Sequence, residues 1–236
     1  MPISHSAKII FVHIPKTGGG TIEKTLGIYG KDNNGNLSPD HSLLYGKYEN
    51  KFLQHLTISE IRKLNINEFE TYRKISFVRN PYDRIISEYL WRIQVYGKRK
   101  LEFKEYILEE VVPRKNNIQK YVKNFYKDES FVPFLDVHYA NQVDYLTLDK
   151  KLAMDHIGKF ENFETDFKRI FKKKIVKTKV HKTKINYTYY FIKKILPKFL
   201  TNKMYRKYYD YETEEIIRRE YSEDLKIFNY NFWFYS

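Results

Sequence analysis

The sequence of 236 residues contains no cysteine. It therefore has no disulfide bond, no thiolate nucleophile and no cysteine-ligated zinc or iron–sulfur site. It also lacks any run of about 18 apolar residues, the length that a membrane span needs. The first residues do not have the pattern of a secretory signal peptide, because the apolar run over residues 9–14 is short and leads into a glycine-rich turn. We therefore expect a cytoplasmic protein without a transmembrane anchor.

Acidic residues are missing from one long segment, residues 167–209. This segment contains 15 lysine and arginine residues and no acidic residue, whereas the rest of the chain carries 28 basic and 29 acidic residues. The formal net charge of +14 therefore comes from this one region. A basic surface of this kind suits a nucleotide, a sulfated or phosphorylated glycan, a nucleic acid or a membrane face. A solvated lysine-rich surface would explain many of the same lysines.

The apolar residues make up 42% of the chain, which is enough for a sizeable core in one domain. Short β-branched runs predict strands, and apolar residues at helical spacing predict the segments between them. We expect strands over residues 8–14, 74–78, 144–148 and 156–160, a loop over 30–53, and helices over 21–29, 60–64, 81–96, 102–111, 162–172 and 212–224. This alternation indicates an α/β fold, a central parallel sheet flanked by helices in a single domain over residues 1–236.

A glycine-rich turn follows the first predicted strand, with the sequence PKTGGGT over residues 15–21. Glycines allow backbone N–H groups to converge on an anion, Lys16 adds a full charge, and Thr17 and Thr21 add hydroxyl groups. These features are typical of a phosphate-binding loop. The turn is not a Walker A loop, because its lysine precedes the glycines. A turn that merely connects a strand to a helix is the other interpretation.

A second candidate site follows the second predicted strand. Arg79 lies at the carboxyl end of this strand, where open α/β sheets bind ligands. Ser87 follows about two helical turns later and could reach the same anion. Two anion sites at the ends of neighbouring strands predict a ligand with two separated anionic groups.

Both motifs resemble those of a known family. Residues 11–19 (FVHIPKTGG) resemble the 5′-phosphosulfate-binding loop of the Golgi-type carbohydrate sulfotransferases, and residues 77–84 (FVRNPYDR), continuing to Ser87, resemble their 3′-phosphate-binding segment. Further similar segments occur in order at residues 55–57, 138–146, 157–162 and 221–230. On these motifs the chain is identified as a member of this family over nearly its whole length.

The resemblance implies a P-loop-like sulfotransferase fold and a specific reaction. The enzyme would transfer the sulfuryl group of 3′-phosphoadenosine 5′-phosphosulfate (PAPS) to a carbohydrate hydroxyl by in-line displacement, releasing 3′,5′-adenosine bisphosphate (PAP) without a required metal. Lys16 would bind the 5′-phosphosulfate and steady the leaving phosphate oxygen, while Arg79 and Ser87 would hold the 3′-phosphate. The remaining cofactor-binding residues of the loop would be Thr17, Gly18, Gly19, Gly20, Thr21 and Ile22.

The resemblance also implies a catalytic histidine. His55 aligns with the general base of the heparan-sulfate 2-O-like branch, although the second histidine of that branch, two residues earlier, is Leu53 here. His138 and Gln142 would line the acceptor side. His13, within the first strand, is more consistent with a packing or hydrogen-bonding role.

The basic segment contains a further similar stretch, residues 180–184, in which Lys182 and Thr183 would close over the nucleotide. Residues 184–207 match no part of the family and suggest an acceptor-specific insertion. We expect a carbohydrate or glycoconjugate acceptor, which the basic segment suggests is acidic, and no nucleic acid partner. A lipid-linked saccharide and a smaller hydroxylated metabolite are alternative acceptors. Two other functions stay open: a nucleic-acid-binding module that uses the basic 167–209 surface, and a P-loop-type nucleotide kinase.

Overall fold

The structure is a computed structural model that describes residues 2–32, 34–48, 51–96, 101–116, 136–172 and 204–232. It has a mixed α/β architecture with a central sheet and helices, as the sequence predicts. The chain divides into two compact units, one formed by residues 1–78 and 129–178 and the other by residues 79–128 and 179–236. The single-domain organisation stays a prediction.

The first unit contains a four-stranded sheet in the order β1-β2-β7-β10. Its strands are β1 Ile3–Ser4, β2 Ile9–Val12, β7 Arg73–Val78 and β10 His156–Lys159. Strands β2, β7 and β10 are parallel, but β1 pairs antiparallel with β2. The predicted central sheet is therefore parallel over three strands, and its edge strand β1 is antiparallel, which the sequence did not predict. The physical reason is the short connection from β1 to β2, because only antiparallel neighbours can be joined by a tight turn.

The core of this unit lies against the sheet. Helices α1 Gly19–Thr25 and α8 Phe163–Phe171 contribute apolar side chains that pack on those of β2 and β7. Strand β10 approaches β7 so closely that a Cβ atom at Gly158 would lie 2.6 Å from the Phe77 ring. The principal core residues are Ile9, Phe11, Ile22, Leu26, Ile28, Leu44, Ile75, Phe77, Phe167, Ile170 and Phe171.

The segment predicted as a loop over residues 30–53 contains regular structure. The first hairpin pairs β3 Tyr29–Lys31 with β4 Leu37–Pro39, and the short helix α2 His41–Leu44 follows it. The second hairpin pairs β5 Lys47–Tyr48 with β6 Lys51–Phe52. A 3₁₀ turn, Leu53–His55, begins at the end of the segment. Small exposed hairpins bury few side chains, so their sequences show little apolar alternation. Between β3 and β4 the Gly35 N–H donates to the Asp32 carbonyl at 2.9 Å.

Residues 144–148 do not form the strand that their sequence predicts. Most of them lie in helix α7 Gln142–Leu146, and the strand is limited to β8 Thr147–Leu148, paired with β9 Lys151–Leu152. The consecutive residues Tyr145 and Leu146 are both buried, which a strand with alternating faces would not achieve. The other elements of this unit are α3 Ile58–Lys63, α4 Asn67–Thr71 and the 3₁₀ turns Asp136–Tyr139 and Phe160–Asn162.

The second unit is helical in its described part. It contains α5 Pro81–Tyr96, α6 Phe103–Tyr106 with the π-helical turn Ile107–Val111, the 3₁₀ turn Met204–Tyr208, α9 Tyr211–Glu220 and α10 Ser222–Ile227. The helix expected over residues 212–224 is therefore interrupted at Tyr221, which is fully buried. Aromatic rings fill this unit, and the Tyr209 hydroxyl donates to the Tyr82 carbonyl at 2.9 Å.

Candidate active site

The glycine-rich turn bends the chain from strand β2 into helix α1. Its backbone enters the left-handed region twice, at Lys16 with φ +69° and at Gly18 with φ +87°. The buried Thr17 hydroxyl donates to the Ile14 carbonyl at 2.8 Å and closes the turn. The strand–turn–helix unit is thus confirmed, with its helix beginning at Gly19, two residues earlier than expected.

The three glycines of the turn have different surroundings. A Cβ atom at Gly18 would lie 3.0 Å from the Phe163 ring, and one at Gly19 would lie 2.0 Å from the His13 ring. Gly20 is exposed, and a Cβ atom there would have no atom of the described residues within 4 Å. Gly18 and Gly19 are therefore glycines because of internal packing. Of the three, Gly20 is the exposed glycine with open space at its Cβ position.

The donors that the turn can offer to an anion are fewer than its sequence suggests. The one hydroxyl proton of Thr17 is used within the turn, so this oxygen can only accept a hydrogen bond from a ligand. The Ile22 side chain lies in the core, which leaves its backbone as the part that could contribute. The first N–H groups of a helix have no intrahelical acceptor. An anion at the turn would therefore be held by the Lys16 ammonium and the N–H groups around Gly19 and Gly20.

His55 lies at the end of a 3₁₀ turn and is buried. Its Nδ1 atom lies 2.9 Å from the backbone carbonyl oxygen of His13. A carbonyl oxygen only accepts hydrogen bonds, so Nδ1 carries the proton and the lone pair is on Nε2. Burial lowers the pKa of His55 well below 6.5, and the neighbouring His13 and His138 lower it further. His55 is therefore neutral near pH 7 and has the tautomer of an Nε2 base.

His13 forms a buried pair with Glu23 of helix α1. The Nδ1 atom of His13 lies 2.6 Å from Oε1 of Glu23, and the Gln54 amide nitrogen lies 3.2 Å from each Glu23 oxygen. The expected hydrogen-bonding role of His13 is confirmed. The sequence patterns did not identify Glu23 as a buried residue of the site. The available signal was its position three residues before Leu26, which places the carboxylate on the apolar face of the helix.

The two candidate acceptor residues lie in the same unit as His55. His138 belongs to the 3₁₀ turn Asp136–Tyr139, and Gln142 begins helix α7; both are buried. The His138 ring contacts the His55 ring edge-on, with 5.5 Å between the ring centroids. The fold therefore brings two imidazole groups together from segments about 80 residues apart, an arrangement typical of functional sites.

Arg79 and Ser87 belong to the second unit. Arg79 directly follows the last residue of β7 and is buried, and its Nε donates to the Asp83 carboxylate at 2.8 Å. Ser87 is half-buried on α5, four residues after Asp83 and hence on the same helix face. Asp83 was missed in the sequence, where an acid four residues after Arg79 was the available signal. Lys182 and Thr183 lie outside the described residues, as does most of the basic segment.

A family model described as "Sulfotransferase family" matches residues 1–231. The chain belongs to the sulfotransferase family. This is the family of Golgi-type carbohydrate sulfotransferases such as heparan sulfate 2-O-sulfotransferase, so the resemblance is confirmed and the chain is a sulfotransferase enzyme. Comparisons with curated proteins and with solved structures gave no match. Family membership favours the enzyme over the nucleic-acid-binding and kinase interpretations.

Two further observations concern the described part of this sulfotransferase. No helix in it is both long enough and apolar enough to cross a membrane. The same residues contain no group of three or more histidine and carboxylate side chains that could hold a metal ion. The cytoplasmic location, the metal-independent reaction, the P-loop-like fold and the individual site residues stay predictions.

Proposed function

We propose that this sulfotransferase transfers the sulfuryl group of PAPS to a hydroxyl group of a carbohydrate acceptor, with His55 as the general base. The observation that carries the proposal is the hydrogen bond from His55 Nδ1 to the His13 carbonyl. This bond fixes the tautomer that carries the lone pair on Nε2, and a general base needs such a lone pair to take the acceptor proton. Family members generally use PAPS, which supports the choice of donor.

Each unit carries one of the two anion-binding motifs of the sequence. PAPS, when bound, supplies a sulfuryl group attached to a phosphate leaving group. The Lys16 ammonium and the N–H groups around Gly20 would hold the 5′ end, on the exposed side of the turn. Arg79, whose guanidinium is oriented by Asp83, would hold the 3′-phosphate together with Ser87. Lys182 and Thr183 would add further contacts to the nucleotide.

His55 and Lys16 would perform the two chemical tasks of the transfer. A sugar hydroxyl is a poor nucleophile, so His55 Nε2 would take its proton as the new O–S bond forms. The lowered pKa of His55 keeps this base unprotonated even in mildly acidic solution. Lys16 would stabilise the negative charge that develops on the departing phosphate oxygen. No metal ion takes part in this scheme.

The acceptor would bind near the second imidazole. His138 contacts the His55 ring, and Gln142 begins the helix that follows. We infer that their imidazole and amide groups, which can each form hydrogen bonds, would contact sugar hydroxyls. The positive charge of residues 167–209 favours an acidic glycan or glycoconjugate. Residues 184–207 would contribute to the choice of acceptor.

The first experiment is a calorimetric titration with PAP. Replacing Lys16 or Arg79 with alanine should weaken PAP binding by about 10- to 100-fold each, because each change removes charge-assisted hydrogen bonds. Arg62→Ala is a matched control, since Arg62 is an exposed arginine whose partner is Asp149. The ligand controls are 5′-AMP, which lacks the 3′-phosphate, and Mg-ATP.

Tight PAP binding, weakened in both variants and much weaker for 5′-AMP, would support the donor site. Labelled PAPS could then be used to screen acceptors, and His55→Gln should abolish transfer while retaining PAP binding. Absence of PAP binding, or a preference for Mg-ATP, would overturn the proposal.

A further inference from the structure

Glu23 is a fully buried carboxylate that neither the motifs nor the proposed mechanism uses. Burying a carboxylate is costly unless it is paired and hydrogen-bonded. Glu23 is bonded to two residues, His13 at 2.6 Å and the Gln54 amide nitrogen at 3.2 Å from each oxygen. These partners come from the end of β2 and from the turn that carries His55. Glu23 therefore connects three separate segments of the first unit.

Both partners of Glu23 lead directly to His55. Gln54 is its neighbour in the chain. His13 accepts the His55 Nδ1–H bond through its carbonyl oxygen, and its ring meets the His55 ring edge-on, with 4.7 Å between centroids. The His13 ring also occupies the space next to Gly19, where a Cβ atom would lie 2.0 Å away. The orientation of His13 thus affects both His55 and the glycine-rich turn.

We propose that Glu23 is a positioning residue for His55, acting through His13 and Gln54. This inference rests on the proposed function, in which His55 is the general base. Proton transfer requires the base within hydrogen-bonding reach of the acceptor hydroxyl, and small displacements are expensive in rate. An ionised Glu23 accepts from His13 and Gln54 together, so it holds the two supports of His55 in one arrangement.

Glu23→Gln is the informative substitution because it keeps the size of the side chain. An amide has one acceptor oxygen and one donor NH₂ group, so in the present arrangement it cannot accept from His13 and Gln54 as the carboxylate does. Either Gln54 must turn its amide over or His13 must change its tautomer to keep its bond, and both changes alter the arrangement that supports His55. We expect the His55 ring to loosen, to populate the second tautomer with the proton on Nε2, and to become more accessible to water.

The test is ¹⁵N nuclear magnetic resonance of the histidine rings, with His55→Gln used to assign the His55 signals. Wild type should show the Nδ1–H tautomer and no protonation of His55 at about pH 6.5. In Glu23→Gln the spectrum should contain both tautomers, and the titration midpoint should move up towards 6.5. The titratable groups beside His55 are His13 and His138, and both lower its pKa. Glu23 lies one step further away, beyond His13, and Tyr29 and Tyr45 lie near Glu23.

Glu60→Gln is the matched control. Glu60 is a second buried carboxylate of the same unit, but it forms a capping box with Thr57. This variant should lose stability and leave the His55 signals unchanged. Gln54→Ala removes only the hydrogen bonds between Gln54 and Glu23. It should change the His55 signals less than Glu23→Gln does, and it replaces Glu23→Gln in the test if that variant does not fold.

A folded Glu23→Gln or Gln54→Ala protein whose His55 tautomer and titration match those of wild type would overturn the inference. The measurement needs neither nucleotide nor acceptor, so its outcome is separate from that of the PAP titration. A chain that showed the expected His55 signals but bound no PAP would contradict the proposed function alone.

Discussion

The imidazole Nδ1 of His55 donates a hydrogen bond to the backbone carbonyl of His13, at 2.9 Å. The two residues are separated by 42 positions in the chain, yet this one bond determines which nitrogen of His55 can act as a base. His13 itself immediately follows strand β2, so His55 is held by the same strand that leads into the glycine-rich turn.

The buried state of His55 should make the protein less stable in acid. An unfolded histidine takes up a proton below about pH 6.5, whereas the folded His55, whose pKa is lowered by burial, does not. The free energy of unfolding should therefore fall as the pH is lowered through 6.5, by at most about 1.4 kcal/mol per pH unit from this group.

Denaturant unfolding of wild type and His55→Gln at about pH 7.5, 6.5 and 5.5 measures this contribution. The decrease in unfolding free energy with falling pH should be smaller in His55→Gln than in wild type. His5→Gln, which changes an exposed histidine of the same unit, is the control. Equal pH dependence in wild type and His55→Gln would contradict the prediction.

Gly19→Ala and Gly20→Ala should have opposite effects on stability. The new methyl group at position 19 would meet the His13 ring, which Glu23 holds in place, so we expect a loss of about 1–3 kcal/mol. At position 20 the methyl group meets open space on a helix, where alanine is favoured over glycine by about 0.5–1 kcal/mol.

The same pair distinguishes packing from ligand binding. Thermal unfolding should give a lower melting temperature for Gly19→Ala and a higher one for Gly20→Ala, while PAP titration should show weaker binding for Gly20→Ala. If Gly20→Ala bound PAP as tightly as wild type, the ligand would not approach this side of the turn.

Asp83→Asn should destabilise the second unit in a way that PAP partly reverses. The substitution keeps an acceptor for Arg79 Nε but removes the negative charge beside a buried guanidinium, which costs about 1–3 kcal/mol. A 3′-phosphate would bring a negative charge to Arg79. The increase in melting temperature on PAP addition should therefore be larger in Asp83→Asn than in wild type.

Glu88→Gln provides the comparison for Asp83→Asn, because Glu88 forms a similar buried pair with Arg92 on the same helix. Glu88→Gln should lower the stability of the protein, but PAP should raise its melting temperature by the same amount as in wild type. A normal PAP response in Asp83→Asn would argue against Arg79 as the phosphate-binding residue.

Thr57→Ala should reduce stability without affecting PAP binding. Thr57 caps helix α3 and exchanges hydrogen bonds with Glu60, and losing such a cap costs about 1 kcal/mol. Chemical denaturation measures the loss, and calorimetry should show wild-type PAP affinity. Weaker PAP binding in this variant would mean that the cap also supports the donor site.

Local patterns in the sequence predicted the parts of this protein that short-range interactions determine. The β-branched run before Pro15 forms a buried strand, and the glycines after it form a turn into a helix. Each depends on residues within a few positions of one another. The two small hairpins and helix α7 were not predicted, because their residues carry little periodic pattern of their own.

The sequence by itself determined the family, and its motifs supplied the residues proposed for sulfuryl transfer, namely Lys16, His55, Arg79 and Ser87. Only the tertiary structure decided that Glu23 is buried, that His13 lies between Glu23 and His55, and that His138 lies next to His55. These relationships join segments 10 to more than 80 residues apart in the chain. They arise when the sheet brings distant segments together, and buried polar groups must then find partners among whichever residues lie beside them.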